Sequence, residues 1–274
     1  MTAEKAKKRL FSFSRKQLCI PYAVFLLLFV IFPLMLIVYY AFTSKDGSFS
    51  FDNFVWFFSN GTNISTLIIS IAVSALVTVL CLLIAYPAAY ILSKLNGRVA
   101  AVLLLLFIMP MWINFVLRAM AMKEILGLLG IPLGSLSSII GLTYDFLPFM
   151  VMPLYSTLIK MDKSLEEAAA DLGANKVKVF MKVTLPLSMP GIISGAMMVF
   201  LPVMSCYVIT DTLGGTGFSL IGKLVAKCFL GEGGAPIDVN EGAAIALVML
   251  MILFFTMLLG GGFKNTGNAR GTNL

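Results

Sequence analysis

The sequence predicts an all-α membrane protein of six transmembrane helices, on three observations. Of its 274 residues 59% are apolar and only 12% charged. A soluble domain is roughly half apolar and a quarter charged, so this chain has too few polar side chains to cover a water-facing surface. The apolar residues also fall in long unbroken runs, six of which approach the ~20 residues that a helix needs to cross a hydrocarbon core. A soluble globular enzyme is thereby excluded.

The expected crossings lie near residues 21–42, 64–92, 99–120, 135–160, 190–210 and 243–263. The first follows a basic stretch, Lys5, Lys7, Lys8, Arg9, Arg15 and Lys16. Its apolar run is too long for a signal-peptide core and lacks a small-residue cleavage site, which predicts a retained helix. Basic residues then set the orientation. Fifteen Lys and Arg fall in the amino-terminal segment, the second and fourth connections and the tail, against five (Lys45, Arg118, Lys123, Lys223, Lys227) on the other side. The positive-inside rule places both termini in the cytoplasm. The net charge of +7 is topological, and no nucleic-acid partner is needed to explain it. On the outer side acids exceed bases slightly, which makes that face mildly favourable to cations. The expected organisation is a cytoplasmic segment 1–20, a membrane domain 21–263 that includes a cytoplasmic loop 161–189, and a cytoplasmic tail 264–274.

Several chemistries drop out. Histidine is absent, removing imidazole metal sites and His-based general bases. Cys19, Cys81, Cys206 and Cys228 have no Cys-x-x-Cys spacing and read as small apolar residues rather than metal ligands. Gly217, Gly222 and Lys223 imitate the start of a phosphate-binding loop, but Leu224 stands where a hydroxyl is required. Neither a metal nor a nucleotide cofactor is expected in this chain. The sequons at Asn60 and Asn63 are short enough to arise by chance.

The loop between the fourth and fifth crossings carries the strongest signal. Ser164 and Glu167 are spaced as a capping box, so a helix is expected from Leu165. Glu166, Glu167 and Asp171 favour its amino-terminal end, and Ala168, Ala169 and Ala170 are strong helix formers. Gly173 suits a left-handed helix terminator. A second helix is expected after Asn175, with Pro186 ending it. Such a helix, turn and helix outside the membrane suits either a docking element or a plain interfacial connection.

Glu167-Ala168-Ala169, then Gly173, then Val183-Thr184-Leu185-Pro186 resembles the EAA loop of binding-protein-dependent ABC importer permeases, with Val183 where the family usually has Ile. The resemblance implies the type I (MetI-like) permease architecture. It also implies that Glu167, Ala168, Ala169, Gly173, Leu185 and Pro186 couple the chain to a nucleotide-binding ATPase subunit, which uses the ATP and magnesium. The implied partners are those ATPase subunits, a second homologous permease, an extracytoplasmic solute-binding protein and membrane lipid; the implied location is the bacterial cytoplasmic membrane. The segment from Leu185 to Gly195, followed by Tyr207 to Gly215, is most similar to PotB-type permeases of spermidine/putrescine importers, with Thr212 where an apolar residue is common. Permeases for iron or sulfate share much of it.

Asp145 stands about ten residues into the fourth crossing, ~15 Å along the helix. A carboxylate at that depth costs ~2.5 to 3.5 kcal/mol on insertion scales, so it should face the bundle interior. It either lines a solute pathway or pairs structurally, with Arg118 as one partner. A polyamine pathway would use carboxylates and aromatic faces, and Tyr144, Asp145, Trp112, Tyr207 and Asp211 supply both. Interfacial belts use the same aromatics. Arg118, near the outer end of the third crossing, is expected to snorkel. Pro110, Pro148, Pro153 and Pro202 allow kinks. A membrane-embedded enzyme would need clustered acids or a nucleophile with a base, and an ion-driven transporter would work without an ATPase subunit; neither has comparable sequence support.

Overall fold

In the computed structural model the structure describes residues 19–215, 217–231 and 236–269. The basic amino-terminal stretch before residue 19 and the tail beyond residue 269 lie outside the described residues, as does Glu232. No strand forms among the described residues; two residues, Thr43 and Phe49, make one isolated bridge.

The first crossing is continuous from Ile20 to Ala41. It comprises α1 (Cys19–Leu26), a π turn (Leu27–Ile31) and α2 (Phe32–Ala41). Its residues are apolar on every side and almost all exposed, as lipid contact requires. At its far end Ala41 packs on Ala243 and Ala244 of α13 (Val239–Ala269). The connection that follows is ordered. It holds α3 (Asp52–Ser59), whose Asn53 amide donates to the carbonyls of Ala41 and Thr43 at 3.1 and 3.0 Å.

Three helices make the centre: α4 (Gly61–Lys94), α7 (Ser135–Leu158) and α10 (Leu185–Ser205). Helix α4 has 34 residues, about 50 Å of helix, so it outruns the ~30 Å hydrocarbon layer. Thr66, Ser70, Ser74 and Thr78 each donate a hydroxyl hydrogen bond to the carbonyl four residues back, which satisfies polar side chains where no water is available. Ser70 also accepts from the Ile221 backbone N–H at 2.7 Å. Small residues bring α7 and α10 close. A Cβ at Gly191 would stand 2.6 Å from the Thr157 hydroxyl oxygen and 3.1 Å from the Pro153 carbonyl oxygen.

Two expected crossings differ from what forms. The third is not one straight helix over 99–120. Helix α5 (Gly97–Ile108) runs into a 3₁₀ turn (Met109–Trp112), and α6 (Phe115–Leu128) leaves at 95°. Pro110 cannot donate to the helix ladder, and the Asn114 side chain accepts from the N–H groups of Val116 and Leu117, capping a new helix. The fifth crossing ends at Ser205 rather than near 210. The apolar run continues only because a separate short helix, α11 (Val208–Leu213), buries Ile209 and Leu213 beside α6 and α7. Helix α12 (Ile221–Leu230) then packs under α13, and Gly231 terminates it at φ 68°.

Filling the α7–α10 contact should cost stability. Gly191→Val is expected to destabilise the protein by about 1–3 kcal/mol, read as a lowered unfolding temperature in detergent. Gly127→Ala, on α6 with nothing within 4 Å of its added carbon, is the matched control and should lose nothing.

Candidate functional site

On one face of the bundle the chain leaves α7 and forms a helical hairpin before returning as α10. Helix α8 spans Ser164–Asp171. Its start differs from the expected capping box: Ser164 is already helical, the N-cap position falls on Lys163, and the side-chain acceptor is Asp162, whose Oδ1 takes the Ser164 N–H at 3.0 Å. Two residues upstream, the Asp162 carboxylate takes the accepting part expected of the Ser164 hydroxyl. That bond holds the Asp162 carboxyl below its ordinary range.

The other end follows expectation. Gly173 has φ 85°, its N–H donates to the Ala170 carbonyl at 2.9 Å, and the Ala174 N–H donates to the Ala169 carbonyl at 3.1 Å. These two bonds are the Schellman pattern, which an L side chain at residue 173 would strain. Helix α9 (Lys176–Val179) opens with Asn175 Oδ1 accepting from the Lys178 N–H at 2.9 Å.

Pro186 does not end this second helix. A π turn over Phe180–Thr184 carries the helix on into α10, and the Leu185 N–H reaches the Phe180 carbonyl. The wider ring makes room for a proline that a tight α-turn would reject, so the run from Lys176 to Ser205 is unbroken. Glu167, Ala168 and Gly173 are exposed on the hairpin, and Ala169 is half-buried. Leu185 and Pro186 lie at the root of α10, half-buried and exposed respectively. Beside the alanines, Leu172 at 89% exposure and Val177 at 68% leave an apolar surface uncovered.

Glu166, which sequence reasoning treated only as helix-end charge, ties this hairpin to the bundle. Its Oε2 pairs with the Lys94 ammonium at the end of α4, and its Oε1 accepts from the Thr184 hydroxyl at 2.9 Å. Burial pushes the Glu166 carboxyl up, but the Lys94 and Thr184 bonds outweigh it and hold the group below its usual range. Phe180 packs edge-on against Tyr86 and Tyr90, with ring centroids 5.6 and 5.8 Å away. No local motif announces a pair separated by 72 residues, so only the fold reveals it.

Deeper in the bundle, Asp145 is 3% exposed and Arg118, at 9%, places Nη1 3.0 Å from its Oδ1. Arg118 therefore does not snorkel. The 95° turn of α6 aims it inward, over the Phe115 ring at 5.6 Å, toward α7. Arg118 and Tyr144 line a cavity of about 330 Å³ with Phe107, Pro110, Leu147 and Pro148. The remaining pathway candidates stand outside that wall. Trp112 is 74% exposed at the helix break. Tyr207 precedes α11, and Asp211 on α11 pairs with Lys223 at 2.6 Å. Of the five, Tyr144 lines that cavity, and Asp145 stands behind it through its pair with Arg118. In the Gly217–Lys223 segment the Ile221 N–H donates to the Ser70 hydroxyl oxygen and the Lys223 ammonium to Asp211. Among the described residues no cluster of metal-ligating side chains forms.

Removing one member of the Arg118–Asp145 pair strands a buried charge. Arg118→Met and Asp145→Leu are each expected to cost about 3–5 kcal/mol, and the double replacement much less than their sum. Unfolding temperatures of the three variants in detergent check this.

The model of the family described as "binding-protein-dependent transport system inner membrane component" matches residues 82–261. Among curated relatives, the spermidine/putrescine transport system permease protein PotB of Haemophilus influenzae is 36% identical over 252 residues, covering 84% of this chain and 88% of that protein. PotB of Escherichia coli strain K12 is 36% identical over 254 residues, covering 84% and 92%. The fold is shared with a solved bacterial ABC transporter involved in import of the acidic polysaccharide alginate, at a TM-score of 0.65 and 18% identity over 89% of this chain and 94% of that one. It is shared also with the MetNI methionine ABC transporter, at 0.59 and 17% over 74% and 94%. With its crossings, its hairpin and its sequence all agreeing, the chain belongs to the inner-membrane permease family of binding-protein-dependent transport systems.

Proposed function

We propose that this chain is one permease subunit of an ATP-driven importer that carries polyamines, spermidine and putrescine, into the cell by alternating access. The α8–Gly173–α9 hairpin carries the reading. It presents a capped alanine surface with uncovered Leu172 and Val177 on the face where basic residues collect, and that face is the cytoplasmic one by the positive-inside rule. In this reading both termini are cytoplasmic, and a nucleotide-binding ATPase subunit seats the hairpin and supplies the work of ATP hydrolysis. A solute-binding protein delivers polyamine to the opposite face, and a second, homologous permease completes the pathway. The likeness to PotB proteins over most of both chains supports the solute class.

Within the pathway, the cavity lined by Tyr144 offers an aromatic face to an alkylammonium, and the Asp145 carboxylate stands behind its wall, paired with the lining Arg118. Trp112, Tyr207 and Asp211 serve the approach from the outer side. Glu167, Ala168, Ala169 and Gly173 contact the ATPase subunit, with Leu185 and Pro186 setting the root of the hairpin. Carrying the solute involves no covalent step in this chain.

The experiment is uptake of spermidine, with iron and sulfate as comparison solutes, in vesicles holding the complete importer. Glu167→Lys or Gly173→Val should leave insertion intact and lower solute carried per ATP hydrolysed by about tenfold, the loss of one ~1.4 kcal/mol contact; wild-type coupling would refute the docking role. Arg118→Met/Asp145→Leu, which keeps the packing but removes the carboxylate, should slow spermidine uptake by about tenfold. Unchanged uptake by that double variant would assign the pair to structure alone.

A further inference from the structure

The geometry points to Glu166 as a positioning residue through which motion of the docking hairpin is passed directly to α4. This rests on the docking of an ATPase subunit at α8, and concerns what happens on the inner side of that contact. Along the chain, α8 connects to α10 through α9 and the π turn; α4 is a remote segment. A load applied to α8 would reach α4 only by packing unless something ties the two.

The tie is a stripe along one side of α4. Tyr86, Tyr90 and Lys94 recur every four residues and so share a helix face. Each meets the hairpin or its root. Tyr86 shares a hydrogen bond of 2.9 Å with the Ser188 hydroxyl on α10 and takes the Phe180 ring against its own. Tyr90 packs on the other flank of Phe180 and lies 5.3 Å beneath the Lys94 ammonium. Lys94 then closes on Glu166. Glu166 is the only one of the first-turn acids of α8 turned inward: Glu167 beside it is exposed. Its second oxygen is occupied by Thr184, which is fully buried at the end of the π turn.

One carboxylate therefore joins three segments, the end of α4, the docking helix and the root of α10. The Lys94 pair is well placed to transmit tension because its partners come from elements that share no local connection. Pro87 sits inside α4 next to Tyr86. The missing N–H there loosens the helix within the stripe, between Tyr86 and Tyr90, so a pull at Lys94 bends α4 at that point rather than stretching a rigid rod. Without the carboxylate, α8 would still present its outer surface to the motor, but it would move as a flap.

The test uses the complete importer in vesicles, with Glu166→Gln, Lys94→Met and the exchange Lys94→Glu/Glu166→Lys. Glutamine keeps the shape and can still accept from Thr184 while losing the charge. All three variants are expected to retain the ATPase subunit on purification. Each single change should lower solute carried per ATP hydrolysed by roughly three- to tenfold, as for loss of a partly buried charged bond. The exchange should return the ratio to within about twofold of the wild type, a rescue that general loosening of the fold would not give. Singles that couple normally, or an exchange no better than the singles, would overturn the inference. So would loss of the ATPase subunit from Glu166→Gln alone, which would make Glu166 part of the motor contact. If the wild-type chain itself retained no ATPase subunit, the docking reading would fall, and this inference with it.

Discussion

The structure depends on bringing three long helices together in a medium that offers no water to unsatisfied polar groups. Apolar side chains gain little from leaving lipid for protein, so close approach and internal hydrogen bonding must supply the cohesion. Helices α4, α7 and α10 meet this with small residues and self-satisfied hydroxyls. Gly191 lets α10 settle on Thr157, and the Thr66 to Thr78 ladder returns each hydroxyl to its own helix. Ser70 goes further and takes up the first free N–H of α12. With that triplet fixed, the more loosely held parts find their places around it: the exposed first crossing, the broken third crossing and the hairpin.

Charge is used differently at the two depths. Arg118 and Asp145 are almost wholly enclosed, where a lone charge is expensive and a pair is mainly a way of avoiding that expense. Lys94 and Glu166 lie at the rim, partly wet, where a pair contributes modestly to stability but specifies which elements sit side by side. The first resists change, because separating it would strand two buried charges. The second fixes the docking hairpin against the end of α4.

Much of this was legible in the sequence. Residue spacing from Glu167 to Pro186 was sufficient to place the hairpin, because a glycine terminator and an alanine run are local signals with local causes, and both formed as expected. Hydropathy located every crossing but misjudged two, since it measures burial in apolar surroundings and does not distinguish a lipid span from a short helix such as α11 packed into protein. Arg118 looked like a snorkelling end residue for the same reason: its destination depends on a bend at Asn114 that only the cap geometry makes plain. Pro186 has the sequence character of a terminator, because a widened turn has no simple signature. The Lys94–Glu166 contact lay beyond any local pattern.

The enclosed arginine also constrains how the protein is made. Arg118 is synthesised before Asp145, so for a time the third crossing carries a cation whose counter-charge has not yet emerged. Hydrocarbon would oppose its settling alone. Settling of the bent segment is thus favoured by the arrival of α7, which couples the insertion of these two crossings.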